Sequence, residues 1–292
     1  MHVRIRAATI IGLGAALLLP AGPLSSADAV TAHGQPRAAT AAATGQVPTV
    51  VAHMSKSAIH LSVGHRVHAG RMIFQVKTRK GTHTLQLLRL HKGYTMQQAG
   101  ADINKAFGGD LAAIRRVDHR ITFLGGASAR PGHPGEFAVK LRAAQLVLLD
   151  QNSHAATRLK VFGTPPARSR IPVSSGITTF SYGFGSSMPP LPRSGWTHVS
   201  NRSDQPHFVI LQRVADNTTN RMVRRLIKSG THRNPPWILK ANTDVGVISP
   251  KVSVDFHYNL PAGKYLLACF WPDDDSGMPH FNMGMWKLIT LK

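Results

Sequence analysis

The only cysteine of the sequence is followed by a histidine and a methionine near the C-terminus. Cys269 ends an apolar run, and His280 and Met285 come after it across a loop punctuated by proline and glycine. Another histidine, His207, precedes an earlier apolar run in the segment QPHFVI. Two imidazoles, a thiolate and a weak axial thioether form the donor set of a blue-copper site, in which the sulfur ligands suit reduced copper. The four residues therefore predict a site for one copper ion.

Each of the four residues also has an ordinary structural explanation, and this alternative stays open. A lone cysteine commonly behaves as a small buried apolar residue. A histidine before a strand is commonly a core or surface residue with a hydrogen-bond partner. Met285 lies close to Met283, at the same spacing as neighbours on one face of a strand, so simple packing would also explain it. The ordered set, rather than any single residue, favours copper over a metal-free fold.

Two segments of similar length match one another and contain the elements that would position these residues. GTHTLQLLRL matches QPHFVILQRV, so that His83 corresponds to His207. EFAVKLRAAQLVLLDQ matches DFHYNLPAGKYLLACF without a gap, so that Phe137 corresponds to Phe256. Short apolar runs bounded by turn residues predict strands. One helical stretch follows in each segment, TMQQAGADINKAF and TNRMVRRLIKSG. Strands outnumber helices, so each segment is predicted to form a β-sandwich.

The C-terminal half resembles the cupredoxin superfamily, the fold of plastocyanin, azurin and nitrite reductase. GKYLLAC is similar to the family's Gly-x-Tyr run into the ligand cysteine. PHFNMGMWKLIT is similar to its Pro-His, Met and final strand, and QPHFVI to its first histidine strand. The resemblance implies an all-β fold of two tandem Greek-key β-sandwich domains, each with a short helical insertion. It also implies ligand roles for His207, Cys269, His280 and Met285. One departure is the loop of ten residues between Cys269 and His280, longer than is usual.

The first segment lacks the complete donor set. Asp150 stands where the match places the cysteine, and no methionine follows His154 before the final strand. Without a thiolate, blue-copper chemistry is lost. His83 and His154 leave a weak metal site open, but a degenerate structural domain is the prediction.

The chain divides into five parts. Residues 1–29 are predicted to be a secretory signal peptide, because two arginines precede an apolar run and Ala27-Asp28-Ala29 fits a cleavage site. Residues 30–53 are expected to be flexible, 54–163 to form the degenerate domain, 164–176 a linker and 177–292 the copper domain. No other stretch is long and apolar enough for a transmembrane segment in the mature protein. The predicted localisation is secreted, outside the cytoplasm.

The charge is strongly positive and indicates anionic partners. Lys and Arg number 35 against 13 Asp and Glu, which gives a formal charge of +22. Such a surface favours an anionic cell-envelope polymer or an acidic redox partner protein. The basic residues are scattered and no nucleic-acid-binding motif accompanies them, so no specific nucleic acid is expected.

The histidine pattern argues against an enzyme. Oxygen-reducing copper commonly uses His-x-His pairs, and none occurs among the sixteen histidines. A second, nitrite-reductase-like site would have to use His53, His60, His65 and His68, for which a polar edge segment is the expectation. PDDDSG, residues 272–277, is predicted to be a polar turn. The sequence therefore predicts a copper protein for electron transfer or copper handling, with His280 nearest to solvent as the electron port. The alternative is a metal-free extracellular binding or structural module.

Overall fold

The computed structural model describes residues 46–165, 170–187, 191–230 and 233–292. The predicted signal peptide lies outside the described residues, as do residues 30–45 of the predicted flexible segment and residues 166–169 of the predicted linker. None of the helices in the described ranges has the length and apolar character needed to cross a membrane.

Two units of strands and helices follow one another along the chain. The first unit contains β1 (Thr49–Met54), β2 (Ile59–Leu61), β3 (Arg66–His68), β4 (Gly70–Thr78), β5 (His83–Leu90), α1 (Met96–Phe107), α2 (Leu111–Arg120), β6 (Ile121–Ala129), β7 (Gly135–Leu141), β8 (Ala144–Asp150) and β9 (Ala156–Phe162). The second contains β10 (Ser175–Phe180), β11 (Gly183–Ser187), β12 (Ser194–Asn201), β13 (Ile210–Val214), α3 (Asn220–Ser229), β14 (Ile238–Asp244), β15 (Ser253–Asn259), β16 (Gly263–Ala268) and β17 (Trp286–Leu291).

The two units share one continuous sheet. Its eight strands run in the order β11-β10-β12-β15-β7-β4-β1-β2. A five-stranded sheet, β3-β9-β8-β5-β6, completes the first unit, and a four-stranded sheet, β14-β13-β16-β17, completes the second. One apolar core extends through both units and includes Phe74, Phe137, Phe256 and Tyr265. Each unit is therefore a β-sandwich, and burial between its sheets is the main stabilising term.

Strands β7 and β15 join the units in the middle of the shared sheet. They pair antiparallel with Phe137 opposite Phe256, the same two residues that the sequence match aligns. Phe137 also stacks on Phe74 of β4, with 5.2 Å between ring centroids. Because the hydrogen-bonded ladder continues across this junction, the units cannot separate without breaking it.

The predicted all-β class with two β-sandwich units is confirmed, and so are the predicted helices α1 and α3. Helix α1 begins with a capping box, in which Thr95 accepts from the Gln98 backbone and the Gln98 side chain accepts from the Thr95 backbone. Helix α3 ends at Gly230, whose φ of 57° is the left-handed conformation that glycine adopts freely.

Three local features differ from the sequence-based prediction. Helix α2 is absent from that prediction, which gives each unit a single helical stretch. β1 begins at Thr49, inside the segment 30–53 predicted to be flexible, and β10 begins at Ser175, inside the predicted linker 164–176. In β1 the side chains of Val50, Ala52 and Met54 alternate inward, and the parallel pairing with β4 holds the strand. The alternation spans only six residues, which is too short to stand out in an alanine-rich segment.

Candidate metal centre

Neighbouring strands bring the predicted ligands to one end of the second sandwich. Cys269 directly follows β16, and His280 and Met285 lie in the loop that leads into β17. His207 precedes β13 and exchanges two backbone hydrogen bonds with Ile248, of 3.0 and 2.7 Å. Since β13 and β16 are antiparallel neighbours, the residue before one lies beside the residue after the other.

Two imidazoles and the thiol converge within a few ångströms. Nδ1 of His207 lies 3.6 Å from Sγ of Cys269, and Nδ1 of His280 lies 3.8 Å from the same sulfur. The two Nδ1 atoms are 3.1 Å apart. All three residues are 0 % exposed. In the part of the chain that the structure describes, they form the one group of three or more His, Cys, Asp or Glu side chains that could share a metal ion.

A buried amide fixes the proton of His280. Nε2 of His280 lies 2.9 Å from Oε1 of Gln205. The amide NH₂ group faces the Asp273 carboxylate at 3.0 Å, and an ionised carboxylate can only accept. The oxygen of Gln205 must therefore face His280, so the imidazole proton is on Nε2. Nδ1 then keeps a free lone pair, directed at Cys269 and His207.

A serine fixes the proton of His207 in the same way. Nε2 of His207 lies 2.7 Å from Oγ of Ser203. The hydroxyl also faces two groups that only accept: Oδ1 of Asn201 at 2.8 Å and the carbonyl of Gln205 at 2.9 Å. With the hydroxyl hydrogen on one of these acceptors, Oγ accepts from His207 Nε2–H. The Nδ1 atom of His207 is consequently unprotonated.

The donor atoms suit a soft metal ion. Burial lowers the pKa of His207 to about 3, with a further contribution from His280, and burial lowers the pKa of His280 to about 4. Both rings are neutral at pH 7, and their inward lone pairs cannot hydrogen-bond to each other. Burial raises the pKa of the Cys269 thiol to about 12, so a cation must displace its proton. Two imidazole nitrogens and one sulfur match the equatorial ligands of a type-1 copper site.

Met285 belongs to the same loop, and its backbone helps to hold the ligands. Its N–H donates to the carbonyl of His280 at 2.9 Å, and its carbonyl accepts from the N–H of Cys269 at 3.3 Å. Its side chain is 0 % exposed and packs in the apolar cluster that contains Cys269 and Trp271. These contacts place Met285 beside the centre, and its role as the axial ligand stays a prediction.

The long insert ahead of the second histidine is a compact polar turn. The N–H of Asp273 donates to the carbonyl of Met278 at 2.9 Å. The Asp273 side chain points inward and is 1 % exposed. Burial opposes its ionisation, but hydrogen bonds from Ser276, Gln205 and Tyr182 outweigh burial and hold the pKa of Asp273 well below its usual range. The insert thus supplies the carboxylate that orients the Gln205 amide.

His280, the expected electron port, does not itself reach solvent. Its side chain is 0 % exposed, because Gln205 covers its outer nitrogen and Tyr182 covers its ring. The Tyr182 and His280 rings meet edge to face, with centroids 5.6 Å apart and planes at 79°. Tyr182 itself is 40 % exposed and donates to Asp273 at 2.8 Å.

The helical insertion of the first unit covers the loop between Cys269 and His280 of the second. Trp271, two residues after the cysteine, is 1 % exposed. Its ring makes edge contacts with Phe107 at the end of α1, at 5.6 Å, and with Phe123 of β6, at 5.4 Å. Arg115 of α2 donates to the carbonyl of Asp274 at 3.0 Å. The first unit therefore contributes directly to the burial of the site.

In the first unit, His83 and Asp150 stand where the second unit has His207 and Cys269, and they are hydrogen-bonded to each other. Nδ1 of His83 lies 2.5 Å from Oδ2 of Asp150, and Nε2 of His83 faces the carbonyl of Lys80 at 3.2 Å. A carboxylate oxygen accepts, so the short contact is a hydrogen bond from Nδ1–H of His83 to Asp150. Asp150 is 0 % exposed and also accepts from Thr84 and Ser153. Nδ1 of His83 therefore carries a hydrogen, whereas Nδ1 of His207 presents a lone pair.

The other histidines singled out from the sequence lie elsewhere. His53 and His60 face each other across β1 and β2. Nδ1 of His65 lies 3.1 Å from the carbonyl of Arg158, and the His68 ring contacts Phe162 at 4.1 Å. His154 is next to the His83–Asp150 position of the first unit and has a positive φ of 63°.

Four residues that organise the site are missing from the sequence-based prediction: Ser203, Gln205, Asp273 and Tyr182. Ser203, Gln205 and Asp273 lie within four residues of a predicted ligand, so proximity to a ligand was an available signal. Tyr182 lies in the turn between β10 and β11, remote in sequence from every ligand. Only the folded chain brings it to His280.

No protein-family model and no curated protein matches this chain. Among solved structures it is similar to reduced auracyanin from Roseiflexus castenholzii (16 % identity, 41 % of this chain and 99 % of that chain, TM-score 0.25). It is also similar to copper nitrite reductase from Nitrosomonas europaea (10 % identity, 85 % of this chain and 94 % of that chain, TM-score 0.23). A third similar structure is laccase from Botrytis aclada (10 % identity, 85 % of this chain and 52 % of that chain, TM-score 0.24). TM-scores this low add nothing to the description of the fold, which rests on strand order and register.

Proposed function

We propose that this chain binds one type-1-like copper ion and transfers electrons. His207, Cys269 and His280 would hold the ion, with Met285 as a further, weaker ligand. The observation that carries the proposal is the convergence of two Nδ1 lone pairs on a buried thiol, with both imidazole protons held on the outer nitrogens. Copper, when bound, supplies a reversible one-electron change of oxidation state.

The enclosure of the site favours electron transfer over copper delivery. All four proposed ligands are 0 % exposed, so an ion could leave only when the loop opens locally. Ser203 and Gln205 hold the ring orientations from outside, as outer partners commonly do at metal sites. Rings held in this way need little rearrangement when the charge at the site changes. We propose on this basis an electron carrier rather than an enzyme.

Copper titration of the metal-free protein tests the function. We expect saturation at one ion per chain and an intense blue or green thiolate absorption, bleached by a mild reductant and restored by reoxidation. Extraction by a strong chelator is expected to be slow, because the ligands are buried. Failure to bind copper stoichiometrically, with no colour, would leave the metal-free module, whose basic surface of +22 formal charge would hold anionic envelope polymers.

Copper uptake is expected to release about one proton per ion at pH 7, since metal binding displaces protons from its ligands. The imidazoles are already neutral there, and the thiol alone carries a proton that copper must displace. Apparent affinity should therefore rise about tenfold per pH unit. It should fall more steeply below about pH 4, where the imidazoles also gain protons. Titration in weakly buffered solution with a pH indicator measures the proton count, and a count near zero would contradict the assigned thiol.

The proposed function also includes export of the chain and a redox partner protein. We propose that residues 1–29 direct the chain out of the cytoplasm and that a redox protein exchanges electrons with it there. Fractionation of cells that express the full chain, with N-terminal sequencing of the exported form, tests the first point. A mature N-terminus close to residue 30 would support it, and retention of the uncut chain in the cytoplasm would contradict it.

A further inference from the structure

The proposed ligands do not reach the surface themselves, so an electron must pass through a neighbouring residue. His207, Cys269, His280 and Met285 are all 0 % exposed. Tyr182 combines contact with a ligand and contact with solvent. Its ring lies 5.6 Å from that of His280, centroid to centroid, and it is 40 % exposed.

Tyr182 is also held firmly over the ligand. Its hydroxyl donates to Asp273 at 2.8 Å, Asp273 accepts from Gln205 at 3.0 Å, and Gln205 accepts from His280 Nε2–H at 2.9 Å. Asp273 and Gln205 are 1 % and 6 % exposed. The phenol is therefore tied to a fixed position by buried groups, although its outer edge faces solvent.

We propose that Tyr182 is the electron port of this protein, the residue at which a redox partner makes its closest approach to the copper ligands. The proposal rests on the copper site proposed above and adds its route to the surface. Tunnelling rates fall steeply with distance, so the shortest path from solvent to a ligand dominates. The Tyr182 ring offers such a short path, because it is exposed to solvent and contacts the ring of His280.

The electron balance of the exchange is simple. An outer-sphere one-electron donor is oxidised by one electron, and the bound ion is reduced by the same electron. Tyr182 is neither oxidised nor deprotonated, and no covalent bond forms or breaks. The tyrosine provides proximity and orbital contact only.

Stopped-flow reduction of the copper-loaded protein by hexaammineruthenium(II) tests the port. Tyr182→Leu keeps most of the bulk but removes the ring, and it should lower the second-order rate constant roughly tenfold or more, within the one to three decades over which association rates of one interface vary. Tyr182→Phe keeps the ring and should restore a rate close to that of the wild type. Phe180→Ala is the matched control, because Phe180 is 46 % exposed on the same hairpin and should leave the rate unchanged.

Blocking the surface provides a second test that leaves Tyr182 intact. Ser181 and Ser57 are both exposed, and Cys269 is buried, so a bulky maleimide would attach only at an introduced cysteine. The label at Ser181→Cys should slow the reaction, whereas the label at Ser57→Cys should not. Equal rates for the two labelled proteins, or a Tyr182→Leu rate equal to that of the wild type, would show that Tyr182 is not the electron port.

The thiolate absorption band and the reduction potential are recorded for every variant. A normal band with unchanged rates rejects the port and leaves the copper site intact. Absence of the band in the wild type rejects the copper site itself. The failure of either proposal is therefore distinguishable from the failure of the other.

Discussion

Replacing Cys269 with serine is expected to abolish the visible absorption of the copper-loaded protein. The absorption requires a thiolate ligand, and a hydroxyl beside neutral imidazoles is a poor substitute. Copper affinity should fall by more than about 100-fold, since the loss of a mere outer-shell partner already costs roughly 10- to 100-fold. Absorption spectra and competition with a chelator measure both effects.

The fold of this variant should survive. The serine hydroxyl could donate to Nδ1 of His207, which the thiol sulfur approaches to 3.6 Å, so no buried donor is left without a partner. Unfolding of the metal-free protein should therefore change little. Met285→Leu is the companion variant: it keeps the thiolate band and changes the potential if the methionine is axial. A band that persists without Cys269 would refute the assigned ligand.

Trp271→Ala is expected to destabilise the protein by about 3–5 kcal/mol, the usual range for deleting a large buried aromatic side chain. Trp271 is 1 % exposed and packs between α1, β6 and its own loop, which leads to His280. The cavity would also loosen the loop that carries His280, so the variant should bind copper more weakly. Urea unfolding of the metal-free protein and chelator competition give the two measurements.

Trp196→Ala is the matched control, because Trp196 is only half-buried and lies against His257 on the shared sheet, away from the loop. It should cost clearly less stability and leave copper affinity unchanged. Similar losses for the two tryptophans would mean that the contact between the units contributes nothing special to the site.

The parts of the fold that were predictable have local signatures. The turn-bounded apolar runs predict the strands, and Thr95 with Gln98 marks the start of α1. The spacing of Cys269, His280 and Met285 predicts one loop, because ligands close in sequence need no tertiary information to be brought together. His207 was placed with them by its flanking sequence, and the pairing of β13 with β16 supplies the physical link.

The remainder depends on long-range contacts that no local pattern encodes. The continuation of one sheet through β7 and β15 is a pairing between strands more than a hundred residues apart. The burial of His280 depends on Tyr182, from a separate hairpin, and on Gln205, whose amide is oriented by Asp273. α2 is a different case, because its N-cap Asp110 and its buried Ala113, Ile114 and Val117 form a local pattern that the prediction missed.

The hydrogen bond between His83 and Asp150 means that the two units differ at corresponding positions. In the first unit the Asp150 carboxylate is hydrogen-bonded to His83, so this position is complete as soon as the chain has folded. In the second unit two imidazole nitrogens lie beside a thiol, and under the proposed function a copper ion completes this arrangement. Under the proposed function, a cell starved of copper would therefore still make the folded chain, and copper would bind to it later.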